Sequence, residues 1–282
     1  MKTVVITGSA RGFGLEMLKN FRENSYNTVI CDINENALKE AEDILGKMNY
    51  KGKVFSYKVD VTKEEDLNKM IKDLLTKVKT IDVWINNAGV NQPDQAIWEI
   101  DKNIIDRLID IDLKGTILGS RAIMPVMIKQ NNGQIYNVEG YGSNDATMLG
   151  LSIYGTAKRA VTYFTEALAK EVTERGHNIC VGKISPGIMI TNFIGTSMGD
   201  GEKIDLPEKT KKVYNILGDY PDVIAKFIVG KILTNTKNNV KFNWLTNGKA
   251  FTRFLTAGFN KRNSKRRTCK MHLRFKRRRH GF

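Results

Sequence analysis

The chain has 282 residues, 41% of them apolar, which is long and apolar enough for one large α/β domain and excludes disorder over most of its length. A formal charge of +15 suggests a polyanionic partner until the charge is located. Residues 261–282 hold eleven Lys or Arg and no Asp or Glu, leaving 34 basic against 30 acidic side chains in the other 260, so the body is nearly balanced and the basic character belongs to a tail.

Short β-branched runs at residues 2–7, 28–31, 54–57, 81–85, 134–138 and 179–184 read as strands, and the amphipathic stretches between them as helices. Strict alternation predicts a doubly wound α/β fold. A single Rossmann-like parallel sheet is expected, flanked by helices on both faces, with ligands at the carboxyl ends of its strands. After Pro186 the pattern loosens into a Gly-rich, polar stretch at 187–210, long enough to suggest a mobile lid. Helical spacing resumes at 206–217 and 221–235, 240–245 reads as a last strand, and 249–259 as a closing helix. Residues 1–260 are expected to form one domain and 261–282 a disordered, basic C-terminal extension.

The first strand runs into "TGSARGFG", Thr7 to Gly14, at the start of a helix. Gly8, Gly12 and Gly14 allow a tight turn and close approach of backbone to a pyrophosphate, whose charge is favoured at a helix N-terminus. Eighteen residues after Gly14, Asp32 ends the second strand, where a carboxylate can accept hydrogen bonds from an adenosine ribose and repel a 2′-phosphate. The alternative is that Asp32 only starts the next helix, with Asn34 as N-cap. Arg11 in the loop could meet a 2′-phosphate. NAD(H) is favoured over NADP(H), because the carboxylate discriminates more directly.

Tyr154 and Lys158 stand four apart in "YGTAK", on one face of a predicted helix. Free tyrosine, with a pKa near ~10, is a poor acid or base at neutral pH, and a nearby ammonium favours phenolate. Such pairs are usually one solvated helix face, and only their surroundings give this one meaning.

Those surroundings resemble the short-chain dehydrogenase/reductase family over most of residues 1–235. "TGSARGFG" (including Phe13), "DVT" at 60–62, "NNAG" at 86–89, "YGTAK" and "SPGIMIT" at 185–191 match its motifs in order. A narrower resemblance to the chlorophyll b reductase branch runs through "IDVWINNAG", "NVEGYGSND" and "ISPGIMITNF". The resemblance implies a nicotinamide cofactor held by the glycine loop, Asp60, Val61, Asn87, Ala88, Gly89, Tyr154, Lys158, Pro186, Gly187, Ile188 and Thr191. It implies Tyr154 as general acid/base on a carbonyl or alcohol, and a homodimer or homotetramer. Two positions depart from the pattern. The family's usual serine falls on Gly140, with Ser143 three residues on as a substitute or an ordinary turn residue. Its usual water-holding Asn falls on Asp112, whose charge is expected to hold Lys158 as ammonium. Glu139 either pairs with a cation or meets substrate, and Ser152 reads as a helix cap.

Cys31, Cys180 and Cys269 are far apart, no run approaches 18 apolar residues, and the N-terminus lacks a cleavage-type ending, so a cytoplasmic protein is expected. His177, His272 and His280 form no metal-ligand spacing. Met189, Ile190, Phe193 and Ile194 suggest a hydrophobic substrate. Two other function classes remain: a nucleotide-binding protein of this fold with impaired catalysis, and nucleic-acid or anionic-membrane binding through the tail.

Overall fold

A computed structural model describes residues 1–190 and 208–257. Seven parallel strands form one sheet in the order β3-β2-β1-β4-β5-β6-β7. They are β1 (Thr3–Thr7), β2 (Asn27–Asp32), β3 (Val54–Lys58), β4 (Val83–Asn86), β5 (Gly133–Val138), β6 (Ile179–Ser185) and β7 (Val240–Asn243). The connecting helices are α1 (Gly12–Glu23), α2 (Glu35–Gly46), α3 (Glu64–Lys77), α4 (Lys102–Leu108), α5 (Gly115–Gln130) and α6 (Ser152–Glu174). They continue with α7 (Glu208–Leu217), α8 (Pro221–Leu233) and α9 (Asn247–Thr256).

Strand alternation sorts the core into two layers. Val4 and Ile6 face α1, α2 and α8, packing with Phe21, Leu45 and Ile228. Val5, between them, faces α3, α5 and α6, packing with Leu74, Ile123 and Val172. The sheet is thus covered on both sides, as near-continuous apolar strands require. Strand order reverses at β1, which pairs with β2 on one side and β4 on the other, opening the crevice where such sheets bind ligands.

The predicted strands all form, with small shifts of physical origin. β4 starts at Val83 because the Ile81 backbone is occupied by the Gln130 side chain, which accepts from its N–H and donates to its carbonyl, both at 3.0 Å. α9 begins two residues early because Thr246 caps it, accepting from Lys249 N–H at 3.2 Å. The helix expected through "RLIDIDLKGTILG" is interrupted by a π-helical stretch, Ile109–Lys114, between α4 and α5. Such wide turns recur at functional sites. Among the described residues no helix is long and apolar enough to cross a membrane. Thr191, Phe193, Ile194 and the basic tail lie outside the described residues.

Candidate active site

The glycine loop leaves β1 at the crevice. Gly8 has φ +60° and presses on the segment after β4, where a Cβ would lie 2.7 Å from Ala88 Cα. Gly12 also has a positive φ, +58°, but nothing lies within 4 Å of where its Cβ would be, so a ligand has room against this backbone. Behind it, α1 opens without a capping side chain or an acidic residue in its first turn, leaving its N–H groups to an anion. Gly14 and Phe13 are buried, the Phe13 ring lying in the core, so both face a ligand only through backbone. Arg11 is exposed. These features fit a dinucleotide pyrophosphate.

Asp32 lies at the end of β2, partly exposed, and accepts from Ala10 N–H at 3.3 Å and Asn34 N–H at 3.1 Å. Asn34 itself caps α2, accepting from Ala37 N–H at 2.9 Å. Asp32 therefore does not cap the helix, and it stands beside the glycine loop. Asp60 accepts from Thr62 N–H and Oγ1 at 3.0 and 2.7 Å, and Val61 packs against Gly115 at the base of α5.

The loop after β4 ties these parts together. Asn87 Nδ2 donates to the carbonyls of Thr7 and Gly8, both at 3.0 Å, and the Asn87 and Ala88 N–H groups donate to Thr7 Oγ1. Beneath it, Asn86 Oδ1 accepts from Trp84 Nε1, while its amide donates to Ser120 Oγ and Asn137 Oδ1. Gly89 sits against Asp112, and Val90 N–H donates to Asp112 Oδ1 at 2.7 Å.

Asp112, on the π-helical stretch, is fully buried and meets Lys158 Nζ at 2.9 Å. Lys158, in the second turn of α6, also donates to Val138 O at 3.4 Å and lies over the Tyr154 ring, 5.6 Å from its centroid. Burial works against the Lys158 ammonium, yet Asp112, the Tyr154 phenol and Glu139 outweigh it and hold its pKa above the usual lysine value. Burial likewise pushes the Asp112 carboxyl up against the pull of Lys158 and the Val90 amide. The short ion pair and that amide favour the ammonium–carboxylate form. The Tyr154 pKa is raised by burial, then lowered by Lys158 and raised by Asp112, with burial prevailing. The sequence led us to expect Lys158 to dominate the phenol; desolvation and the second charge reverse the net effect.

Gly140 lies directly under the phenol: a Cβ there would be 2.3 Å from Tyr154 Oη, 2.8 Å from Cζ and 3.0 Å from Lys158 Cγ. Ser143 is buried beside it, its hydroxyl accepting from Gly140 N–H at 3.3 Å and donating to Lys158 O at 3.2 Å. Glu139 pairs with Lys241 of β7 at 2.7 Å and accepts from Thr162 Oγ1 at 2.9 Å, so it meets a cation. Ser152 is the first residue of α6; the N-cap is Leu151, with no side-chain bond. Past β6, Pro186 is buried, Gly187 is exposed with φ +71°, and Ile188 O accepts from Asp219 N–H at 3.0 Å.

One contributor had no local sequence signal. Gln92 is buried, with Oε1 accepting from Tyr154 N–H and Nε2 donating to Gly150 O, both at 2.7 Å. The polar network through Asn86, Asn137 and Thr165 joins β4, β5 and α6. Only their apolar neighbours hint that these amides are buried.

Comparisons with known proteins identify the family. The short chain dehydrogenase family profile matches residues 2–200. An uncharacterized oxidoreductase of Bacillus subtilis, YxbG, is 34% identical over 202 residues, 72% of each chain. The probable chlorophyll(ide) b reductase NYC1 of Arabidopsis thaliana is 28% identical over 264 residues, which is 87% of this chain but 51% of that protein, so the chain spans about half of that relative. Among solved structures, a 3-ketoacyl-(acyl-carrier-protein) reductase from Brucella melitensis complexed with NADH superposes with a TM-score of 0.74 at 22% identity, covering 88% of this chain and 98% of that one. The chain belongs to the short-chain dehydrogenase/reductase family and is an NAD(P)-dependent oxidoreductase of that family.

Proposed function

We propose that residues 1–260 form one catalytic unit that moves a hydride between nicotinamide and a carbonyl or alcohol, with Tyr154 giving or taking the proton. The observation that carries this reading is the convergence of Tyr154, Lys158 and Asp112 under one loop, residues 87–92, which also braces the glycine turn. Bound nicotinamide supplies the hydride. The glycine loop, Asp32, Asp60, Val61, residues 87–89, Lys158 and residues 186–188 would hold the cofactor, with Thr191 assigned to it by the motif alone.

The raised pKa keeps Tyr154 protonated at neutral pH, ready to donate to the oxygen of a carbonyl being reduced. Lys158 stabilises the phenolate left behind, and Asp112 keeps Lys158 charged. Ser143 serves by fixing the Gly140 turn on α6, since donating to a substrate oxygen would take its proton from Lys158 O. Asp32 beside Ala10 favours NAD(H), because a 2′-phosphate there would meet a carboxylate. The NYC1 likeness and the apolar Met189 and Ile190 support a hydrophobic carbonyl substrate. A homo-oligomer is in keeping with the family.

The test is a binding titration with NADH and NADPH, then turnover on aromatic aldehydes, α-diketones and cyclic ketones. Tighter NADH binding and reduction of at least one carbonyl are expected. Failure of both nucleotides to bind would contradict the reading.

A further inference from the structure

The helix that carries Tyr154 starts in an unusual way. The first N–H groups of any α-helix lack partners within it and are normally met by an N-cap side chain, one of which accepts from the third residue of the first turn. In α6 the N-cap is Leu151, which offers no acceptor, and Tyr154 is that third residue. Its N–H is met instead by Gln92 Oε1 at 2.7 Å, from a loop 62 residues earlier in the chain. The same side chain donates to Gly150 O at 2.7 Å, fixing the approach to the helix, and it is only 4% exposed.

The loop bearing Gln92 is itself anchored to the cofactor side, through Asn87 on the Thr7 and Gly8 carbonyls, and to the proton side, through Val90 on Asp112. We infer that Gln92 is a positioning residue: it caps α6 from the cofactor loop, so that the Tyr154 phenol is held in register with the glycine turn. A misplacement of about 1 Å at a reacting group costs roughly 10²-fold in rate, so a cap of this kind acts on turnover more than on cofactor affinity.

This rests on Tyr154 as proton donor, and the experiment separates the two. Protein labelled with [13Cζ]tyrosine gives a resonance for Tyr154, assigned by its loss in Tyr154→Phe, that reports the phenol's surroundings and titration without turnover. Gln92→Met keeps the volume and removes both hydrogen bonds; Gln92→Glu keeps the acceptor for Tyr154 N–H. In Gln92→Met the resonance is expected to shift or broaden and its titration to move, while the NADH Kd stays within about twofold and kcat on benzaldehyde or 2,3-butanedione falls roughly 10-fold or more. Gln92→Glu is expected to lie closer to the parent protein in both readouts. An unchanged Tyr154 resonance in folded Gln92→Met, or equal effects from the two substitutions, overturns the inference. Should Gln92→Met not fold, a Gln92→Glu resonance displaced from that of the parent protein overturns it, and one that coincides supports it. Full activity of Tyr154→Phe would instead overturn the role of Tyr154 and leave the resonance still reporting the cap.

Discussion

Restoring a side chain at position 140 should separate activity from stability. Gly140→Ser or Gly140→Ala places a Cβ 2.3 Å from Tyr154 Oη and 2.8 Å from Cζ, where ordinary van der Waals contact begins at 3.4 Å. The phenol must therefore retreat by about 1 Å, because the other side of the clash is the Gly140 backbone, just past the end of β5. Moving the end of one aromatic side chain costs little in folding, roughly 1–3 kcal/mol for local overpacking. It costs much in rate, about 10²-fold for 1 Å at a reacting atom. Steady-state kcat on a carbonyl probe, with urea denaturation and NADH affinity alongside, gives both quantities. Both variants should lose about two orders of magnitude in kcat and bind NADH nearly as before. The Ser variant should fare no better than the Ala variant. Retention of kcat within about threefold in either would refute the placement of Tyr154 over Gly140, and recovery in Ser alone would show that this site accepts a hydroxyl donor.

Three further substitutions probe other links. Alcohol oxidation needs the phenolate, so a phenol pKa held above its usual value makes its rate climb with pH; Asp112→Asn removes one upward push on that pKa, and the alkaline limb of the pH–rate profile should move to lower pH. Asp32→Ala should narrow the preference for NADH over NADPH by roughly 10-fold or more in paired Kd titrations, with Asp32→Asn controlling for the lost Ala10 and Asn34 hydrogen bonds. Lys241→Met leaves the buried Glu139 carboxylate without its cation, and urea denaturation should show a loss of roughly 2–3 kcal/mol, at the low end for a broken pair because Lys241 is partly exposed.

What was legible in the sequence was what is local. Gly8, Gly12 and Gly14 sit within one turn, Tyr154 and Lys158 within one helical repeat, and the strand pattern needs only neighbours, so the fold and the motif-bearing elements could be read in order. Contacts across long separations could not. Glu139 was left between a cation and substrate because Lys241 lies about a hundred residues on, in β7. Gln92 carried no signal in the sequence because its partners, Gly150 and Tyr154, are 58 and 62 residues away. The π-helical stretch around Asp112 was hidden because its wide turn follows from packing against Lys158 and Val90 rather than from residue preference. Lys158 was expected to lower the Tyr154 pKa, a reading that omitted burial.

Hydride transfer in Tyr154→Phe is the most direct test. With the enzyme saturated in [4-2H]NADH and a reducible aldehyde supplied, deuterium appearing in the alcohol in a single turnover reports the chemical step. Removing one hydroxyl should leave NADH affinity within about twofold and slow that step by roughly 10²–10⁴-fold, the range a positioned acid contributes. Deuterium transfer at the parent rate in Tyr154→Phe would contradict the assignment of Tyr154 as the proton donor.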